Sequence, residues 1–231
     1  MINQQKNDSI NDNKGLIIAV SIITFWFALS VFNLNRQINY KDISTYLLIL
    51  IQIHLYTGLF ITAHDSMHNS LSKNRFINDL IGKICLTLFV FNSYKFLKPK
   101  HFHHHRYVAT KDDPDYYDGN FFVWYYNFLK QYVSIKQIIL AAILFNVLCL
   151  FFYRENVLLY WALPSILSTF QLFYFGTYIP HKGVHDQNNF HKSSTLKKNH
   201  VLAFISCYFF GYHYEHHDSP KTPWWKLYQL K

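Results

Sequence analysis

Charge is what this sequence has least of. Asp, Glu, Lys and Arg make up 15% of its 231 residues, against about 25% in an average soluble domain. Hydrophobic residues reach 51% and aromatic ones 19%, a balance that points to a membrane. Cysteine is also scarce. Cys85, Cys149 and Cys207 lie far apart and form no CxxC pair, which argues against a disulfide framework, a thiolate zinc site and a built-in iron–sulfur cluster. The role left to them is that of small buried apolar residues. There are seven glycines and no GxGxxG or P-loop pattern, so the chain has no nucleotide or flavin site of its own. Any redox chemistry must draw its electrons from a partner. Acidic residues are outnumbered by basic ones, 13 to 22, for a net charge of +9. Such a surplus suits nucleic acid or a membrane surface, and the placement of the charges decides between them.

What the chain has in abundance is uncharged runs and histidine. Residues 1–14 are polar and Asn-rich and read as a disordered tail, leaving 15–231 as a single domain. Four runs, 15–32, 43–63, 135–153 and 157–179, are candidate membrane spans. A cleavable signal peptide is the rival reading of the first, but its apolar core is long and Ala28-Leu29-Ser30 is a poor cleavage site. The short link Arg154-Glu155-Asn156 implies an antiparallel hairpin of the third and fourth spans, and Pro164 predicts a kink in the fourth. Residues 80–91 are apolar but short and contain Lys83, which fits an interfacial or re-entrant helix. The aromatic run 119–132 reads as a headgroup-level belt or as the mouth for an apolar substrate. Pro223-Trp224-Trp225 reads as an interfacial anchor. The resulting fold class is all-α: an integral membrane protein of about four transmembrane helices with a cytoplasmic histidine-rich cap.

With four spans, only Arg36, Lys41 and Arg154 of the 22 Lys and Arg fall on one side of the membrane. The rest, with both termini, fall on the other, which the positive-inside rule makes cytoplasmic. That accounts for the net charge without nucleic acid. Three histidine groups land on this same face: His64-x3-His68, His101-x2-His104-His105 and His213-x2-His216-His217. A helix turns about 100° per residue, so His101, His104 and His105 share one arc and make half of a metal site, while His103 points away. Eight same-face imidazoles suit two metal ions. Neutral nitrogen ligands fit iron, zinc or copper and not magnesium or calcium. Zinc has no redox chemistry, whereas iron with open positions binds O2. His181, at the end of the fourth span, is a ninth candidate ligand, with a helix-end hydrogen bond as its other reading. Asp65 is a candidate to orient an imidazole. Asp113 and Asp115 either do the same or make a turn. His54 reads as a hydrogen-bonded core residue, and His103, His185, His191 and His200 as exposed.

These boxes resemble those of the membrane di-iron superfamily of fatty acid desaturases and hydroxylases. Within it, the chain is similar to the bacterial β-carotene ketolases. The stretches that carry the likeness are YTGLFITAHDSMH (56–68), NDLIGKICLTLF (78–89), DPDYY (113–117), FGTYIPH (175–181) and CYFFGYHYEHHDSPKTPWW (207–225). The chain departs from the family at Ser66 and Asn69, where Ala and Gly are common, at the extra His103, and in its last residues. The resemblance implies two iron ions held by the eight box histidines, with His181 as a ninth candidate; Asp65, Asp113 and Asp115 are the catalytic-site carboxylates expected from their places beside the boxes. It also implies O2 as co-substrate, a ferredoxin-type electron donor docked on the basic face, and a place in the bacterial cytoplasmic membrane. The implied reaction oxidises the ring 4-methylene of β-carotene to a ketone through an alcohol and a geminal diol, giving echinenone and then canthaxanthin. A carotenoid ring hydroxylase and a membrane lipid desaturase or hydroxylase are the neighbouring enzyme readings. A membrane metal-binding protein is the non-enzyme reading; the clustering of the boxes at one face speaks against transport through the membrane.

Overall fold

The computed structural model describes residues 12–231. Most of the polar tail expected over 1–14 lies outside the described residues, and its last positions, 12–14, already belong to the first helix. Among the described residues there is no strand. The order is α1 (Asp12–Asn35), α2 (Ile43–Met67), α3 (Arg75–Leu88), α4 (Tyr94–Tyr107), α5 (Phe121–Tyr132), α6 (Ile135–Phe151), α7 (Arg154–His181), α8 (His200–Cys207), α9 (His213–Asp218) and a short 3-10 segment, Trp224–Leu230. Side chains set several of the starts. Asp42 accepts from the Ser44 amide at 2.9 Å ahead of α2. Asn74 accepts from Phe76 and Ile77 ahead of α3, and Asn199 accepts from Leu202 ahead of α8. Each takes up amides that the first helical turn leaves without a partner.

Three helices are long and apolar enough to cross a membrane: Lys14–Asn35, Ile43–Met67 and Arg154–His181. The third expected span, 135–153, is revised. The apolar helix ends at Phe151 and qualifies as part of a span only together with α5, from which it is bent by 86°. Val133 is extended and Ser134 caps α6 through the Gln137 amide, so the aromatic helix is turned out of line. No residue of α6 is buried, as suits a helix facing lipid.

The kink expected at Pro164 takes another form. α7 runs on as a 28-residue helix, and π turns at Leu158–Ala162 and Tyr174–Tyr178 precede Pro164 and Pro180. A proline lacks the amide proton, and its ring crowds the carbonyl four residues back. A widened turn accommodates both, with the Leu163 and Ile179 amides reaching five residues back to Leu158 and Tyr174.

Polar bonds inside the apolar bundle hold α1, α2, α7 and α8 together. Gln52 donates to Ser30 at 2.8 Å, Thr57 donates to Gln171 at 2.6 Å, and Gln171 donates to the Ser206 carbonyl at 2.5 Å. Without competing water, such bonds register one helix against another. At one end of the bundle Asn156 donates to the carbonyls of Asn33 and Arg36, and Tyr40 donates to Glu155. The histidine boxes lie at the other end, where α2 and α7 finish. Of residues 80–91, 80–88 lie in the amphipathic helix α3, which packs on α2 and is not among the span candidates, and 89–91 form the turn after it.

Candidate metal centre

Four elements bring nine imidazoles together. The end of α2 carries His64 and His68, α4 carries His101, His104 and His105, the end of α7 carries His181, and α9 carries His213, His216 and His217. They form two groups. His64, His68, His101, His105 and His216 make one; His104, His181, His213 and His217 make the other. Within each group every residue offers a ligand atom within 4.8 Å of all the others.

The partition differs from the sequence reading, in which the box at 101–105 stayed whole as half of one site. That box sends His101 and His105 to the group of five and His104 to the group of four. The box at 213–217 does the reverse, sending His213 and His217 to the group of four and His216 to the group of five. The cause is angular. Residues four apart on a helix point within about 40° of each other, while the residue between them in each box is rotated by about 60° to 100°. Two such helices facing one another each contribute a pair to one group and a single imidazole to the other. His103 is exposed and packs on Tyr107.

The donor atoms fit metal ions. Nε2 of His68 lies 2.6 Å from Nε2 of His101. The same atoms are 3.1 Å apart for His105 and His216, 3.1 Å for His213 and His217, and 3.2 Å for His104 and His217. Two nitrogens bound at about 2.1 Å, a right angle apart on one ion, stand about 3.0 Å from each other. The outward nitrogens have their own acceptors. His181 donates from Nδ1 to the Lys192 carbonyl at 2.9 Å, and His104 from Nδ1 to Asp113 at 2.9 Å. Nδ1 of His64 lies 3.2 Å from Asp65. Spending the proton on Nδ1 leaves Nε2 as a bare lone pair. Nε2 of both His64 and His181 is buried with no hydrogen-bond partner, a costly state unless something else takes the lone pair.

Electrostatics favour the ligating form. Burial, followed by the neighbouring imidazoles, holds His101, His213, His216 and His217 well below the usual histidine range, and brings His105 to about 2. These rings are neutral, as metal binding requires. His104 goes the other way. Burial pulls it down, but the carboxylates of Asp115 and Asp113 outweigh burial and make it more basic. Burial lifts Asp115 to about 6 against the opposing pull of His104.

The three candidate carboxylates all touch this assembly. Asp65 is buried between His64 and the amide of Trp224, which donates to its other oxygen at 2.8 Å. Asp113 orients His104 and also closes a turn by accepting from the amides of Ala109 and Asp115, so both readings of it describe the same residue. Asp115 lies 3.8 Å from His104 and accepts from the Tyr132 hydroxyl.

Trp224 corrects an expectation. It is buried against Tyr208, with ring centroids 4.9 Å apart, and does not anchor at an interface. Nothing in the local run Pro223-Trp224-Trp225 marks that difference. His54 stacks on Tyr208 at 4.2 Å and its Nε2 has no hydrogen-bond partner, so it is not the hydrogen-bonded residue expected. His185, His191 and His200 are half-buried and not exposed. The His191 ring lies 5.8 Å from that of His217, and His200 pairs with the Tyr212 hydroxyl. Cys85 and Cys207 are buried, Cys149 is half-buried, and all three are free thiols.

A cleft reaches the imidazoles. Phe60, Met67, Phe89, Leu97, Phe128 and Leu172 line it, together with seven of the nine histidines. Its mostly apolar walls suit an apolar ligand. The aromatic run 119–132 divides here. Phe128, Leu129 and Tyr132 face the cleft, while Phe122 and Tyr126 are exposed.

The chain is similar in sequence to known proteins. The model of the fatty acid desaturase family matches residues 43–139 and 128–231. A β-carotene ketolase of Paracoccus sp. is 35% identical over 92% of this chain and 90% of its own length. A zeaxanthin 4-ketolase of Chlamydomonas reinhardtii is 34% identical over 94% of this chain, and a β-carotene 4-ketolase of Haematococcus lacustris is 39% identical over 75%. The chain spans only 53% and 58% of the length of these last two. No solved structure matches.

Proposed function

The chain belongs to the fatty acid desaturase family, and we propose that within it this protein is a carotenoid 4-ketolase. The observation that carries the reading is the convergence of two imidazole groups on one apolar cleft. The relatives supply the substrate class, since those that match most of the chain are named as carotenoid ketolases.

In this reading His64, His68, His101, His105 and His216 hold one iron ion, and His104, His181, His213 and His217 hold the second. Such a pair, when bound, would supply the activation of O2 needed to oxidise a ring C–H bond. The rest is the work of the chain. Phe60, Met67, Phe128 and Leu172 hold the ring and exclude water, and so position the 4-methylene for oxidation. That methylene is allylic, and its C–H bond is correspondingly weak. Asp65 and Asp113 fix the rotation of His64 and His104. Each round places one oxygen atom of O2 on the ring carbon and releases the other as water, using two donor electrons and two protons. The first round gives the alcohol and the second a geminal diol, which loses water to leave the ketone.

The electrons come from a ferredoxin-type donor, since the chain has no flavin or nucleotide motif. Arg106, Lys111, Lys182 and Lys192 are exposed on segments beside the boxes, and an acidic donor would dock against such charges. The boxes and this basic surface face the cytoplasm, with the spans in the cytoplasmic membrane.

Expression in a bacterial host that accumulates β-carotene tests the reading. Ketones should form, each a gain of one oxygen and a loss of two hydrogens. Alcohols alone would assign the protein as a ring hydroxylase. Unchanged pigment, with well-expressed protein and a working donor, would overturn it.

A further inference from the structure

Thr177 sits in the π turn Tyr174–Tyr178 of α7, one helical turn before His181. Its side chain is 4% exposed and lines the cleft. Helical threonines in this protein usually dispose of the hydroxyl locally. Thr62, Thr87 and Thr169 each donate to the carbonyl four residues back, at 2.7 to 3.0 Å. Thr177 does not, and among the described residues its hydroxyl has no hydrogen-bond partner. The π turn, set by Pro180, displaces the carbonyl ladder at this point, and such turns are frequent at functional sites. Other polar groups on the cleft are engaged or more exposed. The Thr169 hydroxyl is spent on Ser165, Asp115 accepts from Tyr132, and Asn92 and Gln137 are only half-buried.

We propose that Thr177 hydrogen-bonds the new oxygen of the half-oxidised ring and so retains the 4-hydroxy product of the first round for the second. This rests on the carotenoid 4-ketolase reading. The unoxidised ring is a hydrocarbon and asks nothing polar of the cleft. After one round it carries a hydroxyl, and burying that group among Phe60, Phe128 and Leu172 is unfavourable without a partner. A threonine hydroxyl both donates and accepts, so it serves the alcohol and the geminal diol alike. A site built around a polar partner discriminates strongly for substrates that carry the matching group. Thr177 therefore governs how far the oxidation proceeds, as a binding residue for the intermediate.

The test compares the full-length wild type with Thr177→Val and Thr177→Ser, each supplied separately with β-carotene and with its 4-hydroxy derivative. Loss of one hydrogen bond of this kind is worth about a factor of ten. Thr177→Val should raise the ratio of released alcohol to ketone about tenfold. It should also raise KM for the alcohol about tenfold more than KM for β-carotene. Thr177→Ser, which keeps the hydroxyl, should stay close to the wild-type ratio. If Thr177→Val accumulates too poorly, Thr177→Ala against Thr177→Ser gives the same comparison. An unchanged ratio, or an equal rise in both KM values, overturns the assignment of Thr177 and leaves the ketolase reading standing. A wild type that makes no ketone overturns the ketolase reading itself.

Discussion

The carboxylate of Asp65 is shared between His64, its neighbour in sequence, and the backbone amide of Trp224, 159 positions later. One oxygen faces Nδ1 of His64 at 3.2 Å and the other accepts from Trp224 at 2.8 Å. The last segment of the chain thus helps to set the rotation of an imidazole at the end of α2. Trp224 is held in turn by Tyr208, Phe204 and Phe209, so the closure is made by packing as well as by the single bond.

Removing that carboxylate should loosen the metal without unfolding the bundle. Asp65→Ala leaves both His64 Nδ1 and the Trp224 amide without a partner. Partners of this kind change metal affinity by about 10- to 100-fold. Iron retained per chain after dialysis against graded chelator is the measurement. Retention equal to wild type would show that Asp65 does not support the site.

The register of the middle box makes a second prediction. His104→Ala and His105→Ala remove one imidazole from each group, and either should abolish ketone formation. His103→Ala should leave it near the wild-type level, because His103 is exposed and belongs to neither group. Pigment extracted from the expression host decides this. An inactive His103→Ala beside an active His105→Ala would contradict the placement of the box.

Filling the cleft separates substrate access from metal binding. Leu172 is buried on α7 and lines the cleft. Leu172→Trp adds bulk where the ring is proposed to lie, at a packing cost of about 1–3 kcal/mol. Conversion of β-carotene should fall at least about tenfold while iron per chain is unchanged. Loss of iron in parallel with activity would mean that the substitution disturbs the imidazoles themselves.

The buried imidazoles also set a pH response for the metal-free protein. His101, His105, His213, His216 and His217 are all depressed below their usual value of 6.5, chiefly by burial. As pH falls below about 6.5, the unfolded chain takes up protons that the folded core refuses, so the folded state loses stability. His104, raised by Asp115 and Asp113 against the effect of burial, contributes in the opposite sense and offsets part of this. The thermal midpoint of the metal-free protein in detergent should therefore drop between pH 7.5 and 5.5. A flat or rising midpoint over that interval would contradict the burial of these rings as neutral groups.

Much of the protein can be read from composition and spacing. The uncharged runs determine an all-helical membrane chain, because an apolar stretch in lipid must satisfy its backbone internally. The boxes determine how many imidazoles are available and which of them share a helix face, because the angle between residues on one helix is a local property. Local rules do not give the angle between two helices. How the box at 101–105 and the box at 213–217 divide between two groups was decided only where α4 meets α9. The same holds for Trp224, whose ring suits a membrane interface equally well until Tyr208 and the carboxylate of Asp65 claim it. It holds for the 86° turn between α5 and α6, an angle that neither run sets by itself. Spacing along the chain determined the metal ligands on offer; contacts between residues far apart in sequence decided which of them face one another across the cleft.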